Sequence, residues 1–465
     1  MRDLGYRVID MLVEHTRDLR QKPVTQSRDK ATLTSLFGEP PPEVGEDLDA
    51  LLKTANEGIF GNVMYVNHPR FFAFAPGPSN FVSAMADALA SGFNVFSGIS
   101  LEASAAAQIE ETVIDWLRQI CGLPESAGGV LVSGGSMANL TALAAARKAA
   151  LGDEWHNATI YFSDQTHSSI ARAASILGFR AKQLRRIPSD EGFRIQSDLL
   201  RRTVGRDRRD GLHPFCVVAN AGTINTGAVD PLADIASLCK DERMWFHIDG
   251  AFGAPAMLTE EGRALLWGLE RADSLSLDPH KWLFQPFDIG CVLVRDRGRL
   301  KETFQVLPEY LEVAMSAGDG INFCDFGPEL TRRFRALKLW MSIKAFGLES
   351  FRRAVEVGLE NARFAESQLR ARDCWEILTP ANLGVVTFRY QPRDLPESEL
   401  NNLNLSICRR CLSTGFSMVM TTELRNKTAL RLCTINPRTT KEDISETIRH
   451  LERDAISVTH ALATC

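Results

Sequence analysis

Lys281 closes the apolar run Ser274-Leu275-Ser276-Leu277 and lies inside Asp278-Pro279-His280-Lys281-Trp282-Leu283-Phe284. A lysine amine carried into apolar surroundings gives up its proton readily, and the neutral amine condenses with an aldehyde to form a Schiff base. Taken alone, the residue fits a lysine that lays its stem on apolar surface and keeps its head in water just as well. Upstream, Met244-Trp245-Phe246-His247-Ile248-Asp249 reads as a short buried strand ending on a carboxylate, followed by Gly250 and Ala251. A strand, a crossover and a second strand fit the separation between Asp249 and Lys281, although such an acid could equally cap a helix or sit at the surface. A third segment, Gly128-Gly129-Val130-Leu131-Val132-Ser133-Gly134-Gly135-Ser136-Met137-Ala138-Asn139, runs from a strand through glycines into the alanine-rich stretch from Leu140 to Ala150. The free amides of a helix start, with the Ser136 hydroxyl, can hold a phosphate, but strand-to-helix turns of this kind are common.

An amine for an aldehyde, a carboxylate that keeps a ring nitrogen protonated and an anchor for a phosphate are together what pyridoxal 5'-phosphate (PLP) requires. Two more segments extend the pattern. In Tyr161-Phe162-Ser163-Asp164-Gln165-Thr166-His167-Ser168-Ser169 a strand runs into a polar turn, and His167 could stack on the cofactor ring, move protons near it, or be structural. In Phe215-Cys216-Val217-Val218-Ala219-Asn220-Ala221-Gly222-Thr223 an apolar strand ends in Gly-Thr, whose hydroxyl could reach the cofactor.

In this order, the five segments resemble the group II PLP-dependent amino acid decarboxylases, the family of the aromatic-L-amino-acid, histidine and glutamate decarboxylases. The resemblance runs from about Gly5 to the C-terminal helix, and its most specific pieces are His280-Lys281-Trp282, Asp249 and Ser163 to His167. It implies a PLP-dependent transferase fold of type I, an α/β architecture with a mostly parallel central sheet and flanking helices, an N-terminal helical segment and a small C-terminal α/β domain. It implies that Lys281 is the Schiff-base lysine, that Asp249 pairs with the pyridine nitrogen and that His167 stacks on the ring. Gly135 and Ser136 would hold the phosphate, with Ala251 beneath the ring, Thr223 nearby, and Asp278 and His280 beside the lysine. A homodimer whose subunits share their active sites is the further implication.

The departures from the family pattern bear on product and substrate. Where simple decarboxylases usually carry a tyrosine, on a mobile loop ahead of Thr331-Arg332-Arg333-Phe334-Arg335, this chain has Phe323. That tyrosine is thought to protonate the carbanion left by CO2, and phenylalanine has no proton to give. Family members with phenylalanine here are aldehyde synthases, consuming dioxygen and releasing aldehyde, ammonia and hydrogen peroxide; alternatively another residue or water supplies the proton. Arg70, Phe74 and Gly77 stand where tyrosines and a threonine are frequent, Ser100 and Ser104 where tryptophan and proline are, and Ile224 replaces a common threonine. Phe74, Pro76, Gly77 and Ser100 are therefore expected to line the substrate site. Arg431 matches a family arginine that could help organise it, or forms an ion pair within the small domain. The expected substrate is an aromatic or unusual L-amino acid, such as a natural-product intermediate, losing its carboxylate as CO2; a catalytically silent relative with a binding role is the reading from another class.

The elements needed to position these residues are affordable for the chain. With 465 residues, 45% of them hydrophobic, it can bury a large core. Strands alternating with helices argue for α/β, divided into a helical arm segment over 1–75, a cofactor domain over 76–345 and a smaller domain over 346–465. An N-terminal helix is expected from Asp3 to Leu19, followed by a linker at Glu39-Pro40-Pro41-Pro42-Glu43. A net charge of −5 offers no basic footprint for nucleic acid, and no stretch offers eighteen uninterrupted apolar residues for a membrane span. The start Met1-Arg2-Asp3-Leu4-Gly5 lacks the basic and apolar regions of a signal peptide, so a cytoplasmic location is expected. Cys408-Arg409-Arg410-Cys411 is the one Cys-x-x-Cys; without a second pair or nearby histidines it does not read as a zinc site.

Overall fold

The computed structural model describes residues 1–306, 309, 320–393 and 395–463. The chain forms two compact units, one of residues 77–362 with 379–386, the other of residues 1–76 with 363–378 and the chain from 387 onward. The sequence suggests three parts, whereas the structure gathers the first with the last. Phe71, Ala73, Val24 and Met418 share one apolar cluster, and the arm is stitched in by Phe72 N–H to Met418 O at 2.9 Å and Cys433 N–H to Phe72 O at 3.0 Å. The expected boundary at 345 falls inside a long helix, Ala336–Arg370, which bends at Gly347, where φ is +72°.

The larger unit is built on a seven-stranded sheet. Its strands are β1 (Gly128–Val132), β2 (Ala158–Ser163), β3 (Leu184–Ile187), β4 (His213–Asn220), β5 (Trp245–Asp249), β6 (Ser274–Leu277) and β7 (Gly290–Val294). The spatial order is β1-β7-β6-β5-β4-β2-β3, and β7 alone runs against its neighbours. Strands β1, β4 and β7 are largely apolar runs, and β2, β5 and β6 are buried as well, as a sheet covered by helices on both faces demands. In such sheets chemistry collects where parallel strands end. Register brings Asn220 of β4, Asp249 of β5 and Ser276 of β6 side by side at that edge.

Helices Gly135–Leu151 and Ser168–Ile176 start just beyond β1 and β2. The first is rich in alanine, and small side chains let it lie close to the sheet: Ala138, Ala142, Ala145 and Ala146 are all buried.

The smaller unit holds most of a four-stranded sheet, ordered Met420–Leu424, Lys427–Cys433, Val385–Tyr390 and Trp375–Asn382. Arg425 and Asn426, both at positive φ, make the two-residue turn between its first two strands, the geometry that matches strand twist. At the N-terminus a helix spans Arg2–Asp18 and buries none of its residues, and the proline-rich Glu39 to Glu43 is exposed irregular chain. Cys408 and Cys411 lie buried on one helix, each donating its S–H to a backbone carbonyl at 3.3 Å. Burial pushes the Cys411 thiol up to about 11, away from a reactive thiolate. No described helix is long and apolar enough to cross a membrane.

Candidate functional site

A cavity of about 350 Å³ opens at the carboxyl edge of the large sheet, within the range of roughly 300–1,000 Å³ usual for small-ligand sites. Gly135, Ser136, His167, Thr223, Asp249, Ala251, Asp278, His280 and Lys281, drawn from five separate stretches of sequence, all line it.

On one wall lies the turn after β6. Lys281 Nζ is 2.9 Å from Asp278 Oδ2, and His280 Nε2 is 3.6 Å from the same oxygen. Asp278 is buried and its Oδ1 has no hydrogen-bond partner. The Ile289 N–H donates to His280 Nδ1 at 3.3 Å, so the ring carries its proton on Nε2, towards Asp278. Burial lowers the His280 pKa, more than the neighbouring Asp278 raises it. Trp282 anchors the turn from behind, fully buried and stacked on Phe252 with ring centroids 5.3 Å apart.

At the end of β5, Asp249 is 8% exposed. Its Oδ1 accepts from Ala251 N–H and Ser276 Oγ–H, each at 3.2 Å, and its Oδ2 accepts from Asn139 Nδ2 at 2.9 Å. A carboxylate has about four acceptor positions. Three are used by the protein, which leaves one for a donor inside the cavity.

Packed against the Asp278 turn is the turn after β1, where the first amides of helix Gly135–Leu151 have no intrahelical acceptor and attract anions. Glycine is required here by close approach: a Cβ on Gly135 would meet Ala251 Cβ and Asp278 Oδ2, both at 2.9 Å. His167 caps helix Ser168–Ile176, its Nδ1 accepting from Ser169 N–H at 3.2 Å. Thr223 is buried and exchanges a hydrogen bond with Thr226 at 2.8 Å.

These features suit PLP. Asp249 offers an acceptor for a protonated ring nitrogen, the helix start offers amides and the Ser136 hydroxyl for a phosphate, and Lys281 offers an amine between them.

The other residues expected at the site are not among the described residues lining this cavity. Phe323 is 2% exposed; it begins the short turn Phe323–Phe326 and packs on Phe326 and beneath the Arg332 guanidinium, 5.4 Å from its ring centroid. It is not among the described residues lining the cavity. Gly77 backs onto the turn that carries the lysine, where a Cβ would come within 2.4 Å of the His280 carbonyl. Ser100 is buried, its N–H donating to Asn322 Oδ1 at 2.9 Å. Phe74, Pro76 and Arg431 belong to the smaller unit, where buried Arg431 donates through Nη1 to the Phe74 carbonyl rather than to a carboxylate.

The structure also adds residues that the motifs did not single out. Asn139, Ser169, Asn220 and Ser276 stand in or directly behind the cavity wall, and buried His247 lies behind Asn139. The available signal was a polar side chain within a buried strand or helix, which needs a partner.

Residues 31–391 match the family model described as the pyridoxal-dependent decarboxylase conserved domain. The chain is 49% identical to an aromatic-L-amino-acid decarboxylase of Bacillus atrophaeus, over 96% of this chain and 93% of that one. It is 29% identical to a phenylacetaldehyde synthase of Arabidopsis thaliana, over 99% and 96% of the two chains. Among solved structures, Oryza sativa TDC with PLP and tryptamine superposes with a TM-score of 0.94 at 28% identity, covering 98% of this chain and 97% of the other.

Proposed function

The chain belongs to the pyridoxal-dependent decarboxylase family, and from that premise we propose that it removes the Cα carboxylate of an aromatic L-amino acid as CO2, with Lys281 and Asp249 as its central residues. It is a PLP-dependent lyase of fold type I. When bound, PLP supplies an electron sink for the carbanion that departing CO2 leaves behind. The observation that carries the assignment of residues is the convergence of Lys281, Asp249 and the start of helix Gly135–Leu151 on one cavity.

In this reading Lys281 holds the cofactor's aldehyde carbon covalently, and Asp278, 2.9 Å from its amine, orients it and takes up its charge. Asp249 keeps the ring nitrogen protonated. Gly135 and Ser136 would hold the phosphate, and His167, Ala251, Thr223 and His280, which line the same cavity, would contact the ring. Phe74, Pro76, Gly77, Ser100 and Arg431 are kept as candidates for shaping the substrate site.

A second product is suggested by the sequence. The related decarboxylases carry a proton-donating tyrosine where this chain has Phe323, whose ring is buried against Arg332 and is not among the described residues lining the cavity. Without rapid protonation the carbanion can pass two electrons to dioxygen. The amino acid, O2 and water then yield aldehyde, CO2, ammonia and H2O2. The phenylacetaldehyde synthase relative lends this branch support.

A homodimer fits the N-terminal helix Arg2–Asp18, which buries nothing in its own chain and leaves Tyr6, Leu12 and Val13 exposed. A cytoplasmic location fits the nine described cysteines, none of which is in a disulfide. The deciding experiment is an aerobic incubation of PLP-loaded enzyme with aromatic L-amino acids, following CO2, amine, aldehyde and peroxide together. CO2 release that disappears in Lys281→Ala supports the assignment, and CO2 release that survives in Lys281→Ala refutes it.

A further inference from the structure

Behind Asp249 the interior holds a chain of polar side chains whose donor and acceptor roles are forced one by one. A carboxylate only accepts, so the amide nitrogen of Asn139 must face Asp249 Oδ2, at 2.9 Å. The Asn139 oxygen then faces His247 Nε2 at 3.0 Å, and that nitrogen must carry the proton. His247 Nδ1 is left to accept from the Ser274 hydroxyl at 2.9 Å, while Ser274 Oγ accepts from Trp245 Nε1–H at 2.8 Å. The second N–H of Asn139 donates to Ser169 Oγ at 2.9 Å. Ser169 in turn has its hydroxyl 2.8 Å from His167 Nδ1, which already accepts the Ser169 N–H. His167 therefore carries its proton on Nε2.

Asn139 is 1% exposed and His247 is fully buried, so neither exchanges these partners for water. Burial holds the His247 pKa well below its usual value, against the pull of Asp249, and a neutral ring has one N–H to give. Rotating the Asn139 amide would put oxygen against the Asp249 carboxylate and nitrogen against the protonated His247 Nε2. The network therefore has one stable arrangement.

We propose that Asn139 and His247 are positioning residues that hold the Asp249 carboxylate aimed into the cavity and, through Ser169, fix the ring and tautomer of His167. A single side-chain amide thereby sets both polar groups that meet the cofactor ring. The proposal rests on the reading of Asp249 as the partner of the pyridine nitrogen. Its chemical consequence is felt in cofactor binding before any turnover.

The test is equilibrium binding of PLP to the full chain, with variants Asn139→Ala, His247→Leu, His247→Gln, Asp249→Ala and the pair Asn139→Ala with Asp249→Ala. A hydrogen bond to a charged group is at stake, so Asn139→Ala is expected to weaken PLP binding about tenfold or more. His247→Leu should act in the same direction, and His247→Gln, which can present an N–H to Asn139, should restore affinity to within about threefold of wild type. In the Asp249→Ala background, Asn139→Ala should add less than about threefold, because its action through Asp249 is gone and only its hold on His167 through Ser169 remains. Equal loss in both backgrounds, or wild-type affinity in Asn139→Ala, overturns the proposal. Should Asn139→Ala fail to fold, the contrast between His247→Leu and His247→Gln decides it, and equal affinities overturn it. Wild-type affinity in Asp249→Ala would instead refute the assignment of Asp249 itself, and the proposal with it.

Discussion

Replacing Arg332 by leucine should be among the most damaging single changes outside the cavity. Glu110, on helix Ser104–Ile120, is fully buried, and Arg332 is nearly so. Their closest atoms, Glu110 Oε1 and Arg332 Nη2, lie 2.6 Å apart. Glu110 Oε1 also accepts the Leu131 N–H at 3.0 Å, and Arg332 Nη2 also donates to the Leu131 carbonyl at 2.6 Å, so the pair ties edge strand β1 to both segments. Arg332→Leu leaves a carboxylate at zero exposure with one neutral donor. Stranding one partner of a buried pair costs about 3–5 kcal/mol. For a domain of this size that corresponds to a fall in Tm on the order of 10 °C.

The informative control is the double variant Arg332→Leu with Glu110→Gln. Glutamine keeps an acceptor for Leu131 N–H but carries no charge, so most of the loss should return. Thermal and urea unfolding of the full chain in all three forms measures this. A loss below about 1 kcal/mol in Arg332→Leu, or a double variant no more stable than the single, would refute the picture of a desolvated pair. The same substitution removes the cation above the Phe323 ring, an interaction of about 0.5–2 kcal/mol, so the Phe323 turn should loosen as well.

Three further outcomes are expected. On the proposal that Phe323 replaces the proton-donating tyrosine, Phe323→Tyr should raise the ratio of amine to hydrogen peroxide formed in air; an unchanged ratio removes Phe323 from the choice of product. Gly135→Ala drives a methyl group to 2.9 Å from both Ala251 Cβ and Asp278 Oδ2, and should weaken PLP binding more than tenfold and also lower apoprotein Tm, since the clash is present without cofactor, as read by absorbance titration and calorimetry. His68 is fully buried and its pKa is pushed down to about 4, chiefly by burial. A histidine with a lowered folded pKa takes up its proton in the unfolded chain first, so it subtracts stability as pH falls from about 6.5 towards about 4, by about 1.4 kcal/mol per pH unit. Asp230, pushed up to about 6 by burial, works in the opposite sense, gaining stability as pH falls from there towards 3.8. His68→Asn retains an acceptor for the Arg70 N–H that His68 Nδ1 holds at 3.0 Å and removes the titration. The stability gap between wild type and this variant should therefore narrow by about 2 kcal/mol between pH 7 and pH 5 in urea titrations, and a gap independent of pH would show that His68 is not held neutral.

How legible these features were in the sequence depended on where each residue's partners lie. Lys281, Asp249, Gly135 and Ser136 each sit at the end of a strand or the start of a helix, and local pattern marks such ends: an apolar run stops, glycines follow, a polar residue appears. A parallel sheet then carries all these ends to one edge without further instruction. Phe74 and Arg431 were different. Their relation is a bond from a guanidinium to a backbone carbonyl more than three hundred residues away in the chain, and no local period encodes it. The division into parts failed to anticipate the two units for the same reason, since the arm near Phe72 pairs with backbone at Met418 and Cys433.

His247 and Asn139 occupy a middle case. Each is a polar residue within an apolar stretch, which announces that a partner exists but not which one. The partner follows only once β5, β6 and helix Gly135–Leu151 are in register, because Ser274, Asn139 and Asp249 come from three different elements. The residues proposed to touch the cofactor can therefore be read from strand ends, while those that decide how an acid or a histidine is aimed must be read from the packed interior. On the proposed assignment the enzyme needs both: Asp249 reversed in its rotamer would be the same residue at the same strand end, with its charge directed away from the ring nitrogen that it is proposed to keep protonated.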